Sequence, residues 1–121
     1  MNLLENKVGL VLGVANKRSI AWACADACHR NGAMQAFSYQ GDRLKENVEK
    51  LAGDLPESLI VPMDVTNQAE VDAAFEAIGS KYGKLDYIIH SIAFAPREAL
   101  EGDYVATTRD AFRTALEISA F

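Results

Sequence analysis

The chain has 121 residues, half of them hydrophobic and 24% charged, which fits one ordinary globular domain and excludes a disordered chain. A formal net charge of −5 argues against general affinity for nucleic acid or an anionic membrane, so any bound anion needs a local site. No apolar stretch approaches the ~20 residues of a membrane span, and "MNLLENKVG" lacks the basic start and apolar core of a secretory signal. The expected location is the cytoplasm.

Taken in order, "KVGLVLG" (7–13) is an apolar, β-branched run closed by glycine and predicts a buried strand. "SIAWACADACHRNGA" (19–33) predicts a helix with Ser19 as N-cap or first-turn residue and "NG" as its stop. Cys24 and Cys28 lie four apart in it. Without a second ligand pair they read as buried small hydrophobes and not as half of a metal site. "AMQAFSYQ" (33–40) is the second strand, and "DRLKENVEKLAGDL" (42–55) an amphipathic helix with Leu44, Val48 and Leu51 on one face.

A third strand is expected in "SLIVPMDV" (58–65), and a third helix over 67–83 with Thr66 or Asn67 as cap. "LDYIIHSIA" (85–93) is the fourth strand, with His90 inside the apolar run and read as a packed core histidine. "ATTRDAFRTALEISAF" (106–121) starts a helix with Thr107 as cap and Asp110 three residues on, and Phe112, Leu116 and Ile118 supply its apolar side. That helix reads as cut at Phe121, since no glycine, asparagine, proline or basic last turn closes it.

Alternating strands and helices with buried-type strands imply a doubly wound parallel sheet of Rossmann type. Residues 1–121 would be its N-terminal dinucleotide-binding part, with four strands in the order 3-2-1-4. In such sheets ligands bind outside the carboxyl ends of the strands, with pyrophosphate at the first helix N-terminus. "GVANKRSIA" (13–21) has one glycine where a dinucleotide turn usually has two or three. Gly13 permits the sharp turn, and Ser19 and Ile20 offer a hydroxyl and backbone N–H groups at the helix start. Taken alone, the turn is equally consistent with an ordinary strand-to-helix connection. Gln40 stands at the second strand end, where an acid commonly meets the adenosine ribose. Asp64 ends the third strand, positioned either to accept from an adenine amino group or to cap the helix near Asn67.

"GVANKRSIA", "FSYQGDRLK", "MDVTNQAEVDAAF", "DYIIHSIAFAP" and "LEGDYVATTRDAFRTALEISAF" together resemble the bacterial enoyl-acyl-carrier-protein reductases. These form a divergent branch of the short-chain dehydrogenase/reductase family. The resemblance spans the chain and implies an NADH-dependent reduction of the trans-2 double bond of enoyl thioesters on acyl carrier protein, in fatty acid elongation. It implies that Gly13, Ser19 and Ile20 hold the pyrophosphate and ribose side of NAD(H). Gln40 would lie by the adenosine ribose, Asp64 and Val65 by the adenine, and Ile92 along the ribose and nicotinamide. Ala95 would line the acyl cleft. A homotetramer is implied, with neither nucleic acid nor membrane as partner.

The family's catalytic tyrosine and lysine fall C-terminal to these residues. None of Tyr39, Tyr82, Tyr87 and Tyr104 is followed by lysine at the family's spacing, so no catalytic residue is assigned and the 121 residues alone are expected to be inactive. Two other readings stand beside this one: a non-catalytic dinucleotide sensor, and an ordinary family member acting on a carbonyl. A signalling receiver is discounted, because the first strand ends in glycine with no acid pair.

Overall fold

A computed structural model describes residues 2–121. They form two compact units, one running to Ser91 and the other spanning Ile92–Phe121.

The first unit is built from β1 (Val8–Leu12), α1 (Ile20–Arg30), β2 (Met34–Tyr39), α2 (Asp42–Ala52), β3 (Leu59–Pro62), α3 (Gln68–Tyr82) and β4 (Tyr87–His90). The four strands are parallel and lie in the order β3-β2-β1-β4, as expected. The chain winds outward from β1 to β3, then places β4 on the other side of β1. The carboxyl ends of β1 and β4 therefore flank a switch point. Every residue of β1 is buried, although neighbouring side chains point to opposite faces, so this strand is covered on both sides. Val11, Val14, Ala21, Ala25, Phe37, Val48 and Ala52 form one buried cluster, with Trp22 tilted against Phe37 at 6.1 Å between ring centroids.

A polar row crosses this apolar sheet. Gln35, Gly9 and Tyr87 are in register on β2, β1 and β4. The Tyr87 ring lies over Gly9, where a methyl group would stand 2.1 Å from it. That passage lets the Tyr87 hydroxyl donate to Gln35 Oε1 at 2.9 Å, while Gln35 Nε2 donates to the Ala25 carbonyl of α1 at 2.8 Å. Both ends of the buried amide are thus satisfied, as burial requires.

Tyr82 closes α3 onto the sheet by donating to the Glu57 carbonyl, with the Gln35 carbonyl at 3.2 Å. Burial, and then the charge of Glu57, push its hydroxyl up to about 12. A phenol in the unfolded chain ionises near about 10. The contribution of Tyr82 is therefore fully present below about pH 10 and is lost as pH rises toward about 12. We expect urea unfolding to show a loss of stability across that interval, and Tyr82→Phe to reduce it, with the part that remains coming from Tyr87, whose hydroxyl burial also pushes up.

Several expectations need correction. Among the described residues His90, the last residue of β4, is exposed and not packed. Ile88, also on β4, is 51% exposed. Neither cysteine is buried: Cys24 is exposed and Cys28 half-buried. Ala21 and Ala25 take the close approach of α1 to the sheet, and among the described residues no metal-binding cluster forms. The strands β3 and β4 are shorter than the apolar runs suggested.

The second unit contains two short 3-10 turns, Arg97–Leu100 and Tyr104–Ala106, and α4 (Arg109–Ser119). Its helix cap is Thr108, which accepts from the Ala111 N–H at 3.1 Å. Thr107, the expected cap, instead ends the preceding turn by donating to the Tyr104 carbonyl at 2.7 Å. Ser119 Oγ ties α4 to the strand-following segment, accepting from Phe94 N and donating to Phe94 O at 2.9 and 3.1 Å. Phe112 and Leu116 are exposed and line an open groove with Arg109, Arg113, Glu117 and Phe121. No helix among the described residues is long and apolar enough to cross a membrane.

Candidate nucleotide site at the strand ends

The turn after β1 is built around a backbone that only glycine adopts comfortably. Gly13 has φ +106°, and a Cβ there would lie 2.0 Å from the Ser91 carbonyl oxygen. The end of β4 thus packs directly on this turn. Ser91 carries that contact through its main chain and was not singled out from the sequence as a site residue.

Ser19 organises the rest of the turn. Its hydroxyl accepts the N–H groups of Ala15 and Asn16 at 2.9 and 3.0 Å, and Arg18 N donates to Asn16 Oδ1 at 2.8 Å. The Ser19 hydroxyl therefore folds back onto the loop and gives α1 no side-chain cap. Its own proton is left to donate. By contrast α3 and α4 are capped by Asn67 and Thr108, and each carries an acid in its first turn. The first turn of α1 has none. Its leading N–H groups keep their partial positive charge unopposed, with Ile20 at the first helical position. Lys17 and Arg18 are exposed on the same loop. This arrangement suits an anion.

The second and third strand ends meet. Gln40 Nε2 donates to Asp64 Oδ2 at 3.1 Å, across 24 residues of sequence. The other carboxylate oxygen accepts from the Thr66 N–H and hydroxyl at 2.9 and 2.6 Å. Those Thr66 bonds, more than the Gln40 bond, hold the Asp64 carboxyl below the usual carboxylate range. Three acceptor positions are used, and a carboxylate has about four. The fourth can take a donor such as an exocyclic amine. Asp64 does not cap α3, since Asn67 does so by accepting from Glu70 N at 3.3 Å. Thr66, weighed in the sequence only as a helix cap, is the residue that holds Asp64 in place. Gly41 follows Gln40 with φ +83° and open space where a Cβ would be. Val65 is half-buried beside Asp64 in sequence.

Gly13, Ser19, Ile20, Gln40, Asp64 and Val65 all follow carboxyl ends of parallel strands within the first unit. Ile92 and Ala95 belong to the second unit, directly after β4 in the chain, and both are half-buried. Nucleotide-type ligands suit these strand ends: a turn without room for a side chain, an uncapped helix, and an amide and carboxylate at the next strand ends.

Sheet order and this turn define a Rossmann-type α/β protein. Residues 13–121 match the family model described as enoyl-(acyl-carrier-protein) reductase. The chain belongs to that family. It is 49% identical to the Bacillus cereus enoyl-acyl-carrier-protein reductase (NADH) FabI, with 100% of this chain and 48% of the relative covered. A crystal structure of the Bacillus cereus enoyl-acyl carrier protein reductase with NADP+ and indole naphthyridinone matches with a TM-score of 0.94 at 49% identity, over 100% of this chain and 48% of that one. The Anaplasma phagocytophilum enzyme in complex with NAD matches with a TM-score of 0.89 at 38% identity, over 96% of this chain and 44% of that one. The chain spans about half the length of the curated relatives it matches.

Proposed function

We propose that this chain forms the cofactor-holding part of an NADH-dependent reductase of enoyl thioesters carried on acyl carrier protein, acting in fatty acid elongation. The observation that supports this reading most strongly is the uncapped start of α1 behind Gly13 and Ser19, in a chain of the enoyl-reductase family. NADH, when bound, supplies the hydride for the β-carbon of the enoyl group.

The chain's own residues bind and orient. The α1 N–H groups and the Ser19 hydroxyl proton would hold the pyrophosphate, Gln40 the adenosine ribose, and Asp64 with Val65 the adenine. Ile92 would lie along the ribose and nicotinamide, and Ala95 along the acyl chain. No residue of the chain is assigned to proton transfer. Residues 1–121 are read as the N-terminal part of one Rossmann domain, in a cytoplasmic homo-oligomer without nucleic acid or membrane as partner.

The test is NADH consumption with crotonyl-coenzyme A by the protein in its full natural length. We expect turnover with this short 2-enoyl thioester. Cofactor binding with reduction of ketones, and none of the thioester, would instead indicate a carbonyl reductase. Micromolar binding without turnover on either substrate would favour the sensor reading.

A further inference from the structure

We infer that Asp64 sets the choice between NADH and NADPH indirectly, by fixing which end of the Gln40 amide faces the adenosine ribose. This rests on the cofactor placement proposed above. A primary amide has a donor end and an acceptor end, and the two are alike in size. What decides between them is the neighbour. Here the neighbour is a carboxylate that can only accept, so it takes the Gln40 Nε2 end at 3.1 Å. The carboxylate itself is held by two bonds from Thr66, at 2.9 and 2.6 Å, and these stabilise its ionised form. It therefore stays an acceptor at neutral pH. Gln40 Oε1 has no partner among the described residues and becomes the free end.

A free carbonyl oxygen accepts a hydrogen bond from a ribose 2′-hydroxyl. To a 2′-phosphate, whose oxygens are acceptors and charged, it offers nothing and repels. Were the amide reversed, its N–H groups would welcome the phosphate. The same glutamine would then favour the opposite cofactor. The residue after Gln40 is Gly41, and the nearest cations in sequence, Arg43 and Lys45, lie in α2, a helix with Asp42 in its first turn. Discrimination of this kind works by a built-in mismatch for the wrong ligand, not by an extra contact to the right one.

The test is a double-mutant cycle on equilibrium binding, with NADH and NADPH titrated calorimetrically into the full-length protein. Both cofactors share the adenine, so any loss of an Asp64–adenine contact cancels in the ratio of their dissociation constants. Asp64→Asn replaces the acceptor with an amide that can donate to Gln40 Oε1 and so lets Gln40 reverse. We expect it to reduce the preference for NADH by about tenfold, the scale of one hydrogen bond to a charged group. Gln40→Ala should also reduce the preference. In the Gln40→Ala background, Asp64→Asn should change the ratio no further.

An equal change with and without Gln40 would overturn the inference, because the carboxylate would then act by its charge alone. So would an unchanged ratio in Asp64→Asn with normal NADH binding by the wild type. Failure of the wild type to bind either dinucleotide would overturn this inference together with the function proposed above. Gln40 is exposed, so its alanine variant keeps half of the cycle readable even if Asp64→Asn folds poorly.

Discussion

Gly13→Ala should abolish measurable dinucleotide binding and lower stability by about 3 kcal/mol, the upper range for a residue forced into a sparsely allowed backbone region. Two costs fall on the same atom. The φ of +106° lies where L side chains are rarely found, and the new methyl group would meet the Ser91 carbonyl oxygen at 2.0 Å. That oxygen is main chain at the end of β4, so it cannot swing aside as a long side chain would. Relief requires the turn to move away from β4 or the strand pair to separate. Either shift displaces Ala15, Asn16 and the Ser19 hydroxyl that holds them, and with them the start of α1. Urea unfolding followed by circular dichroism reads the stability loss, and NADH fluorescence reads the binding. A variant with wild-type binding would show that the Gly13 turn is not part of the site.

Gly9→Ala should cost a similar amount by a different route, while leaving the turn untouched. Its methyl group would stand 2.1 Å from the Tyr87 ring, so the ring must leave its place across β1. Overpacking of this kind costs about 1–3 kcal/mol. Moving the ring also takes the Tyr87 hydroxyl from Gln35 Oε1, and leaving a buried acceptor unsatisfied costs about 1–3 kcal/mol more. Pairing the change with Tyr87→Phe separates the two terms, because the phenylalanine keeps the ring and removes the hydroxyl. The destabilisation by Gly9→Ala should be smaller in that background, since the hydrogen bond is already absent. Full additivity would show that the ring moves without breaking the bond to Gln35.

The sheet could be read from the sequence because its strands declare themselves. "VGLVL" between a charged start and Gly13 has the β-branched, uninterrupted apolar pattern of a strand buried on both sides, and the helices between strands carry apolar faces. Of Thr66 and Asn67, both open as the cap of α3, the structure selects Asn67, and the strand order is the one a Rossmann-type sheet implies. What could not be read were the features that depend on distance in space. His90 sits in an apolar run, yet it is exposed among the described residues. Cys24 lies in a small-residue helix, but two alanines take the buried positions. Thr107 and Thr108 differ by one residue, and only the 3-10 turn before them decides which one caps α4.

The candidate site shows the same division. Gly13, Gln40 and Asp64 were identifiable as residues at strand ends, and Ser19 as one at a helix start. The direction of the Ser19 hydroxyl, toward the loop and away from its helix, was not. Nor was the bond between Gln40 and Asp64, which follow the ends of the neighbouring strands β2 and β3 and are 24 residues apart. Strand adjacency brings them together, and adjacency is a property of the sheet.

The central claim is that a reduced dinucleotide lies across the carboxyl ends of β1, β2 and β3. Amide chemical shifts of the isotope-labelled full-length protein during titration with NADH test it most directly. We expect saturable shifts at Gly13 through Ile20, at Gln40 and Gly41, and at Asp64 and Val65. Saturable shifts that spare all three segments, or no shifts at all at millimolar NADH, would contradict it.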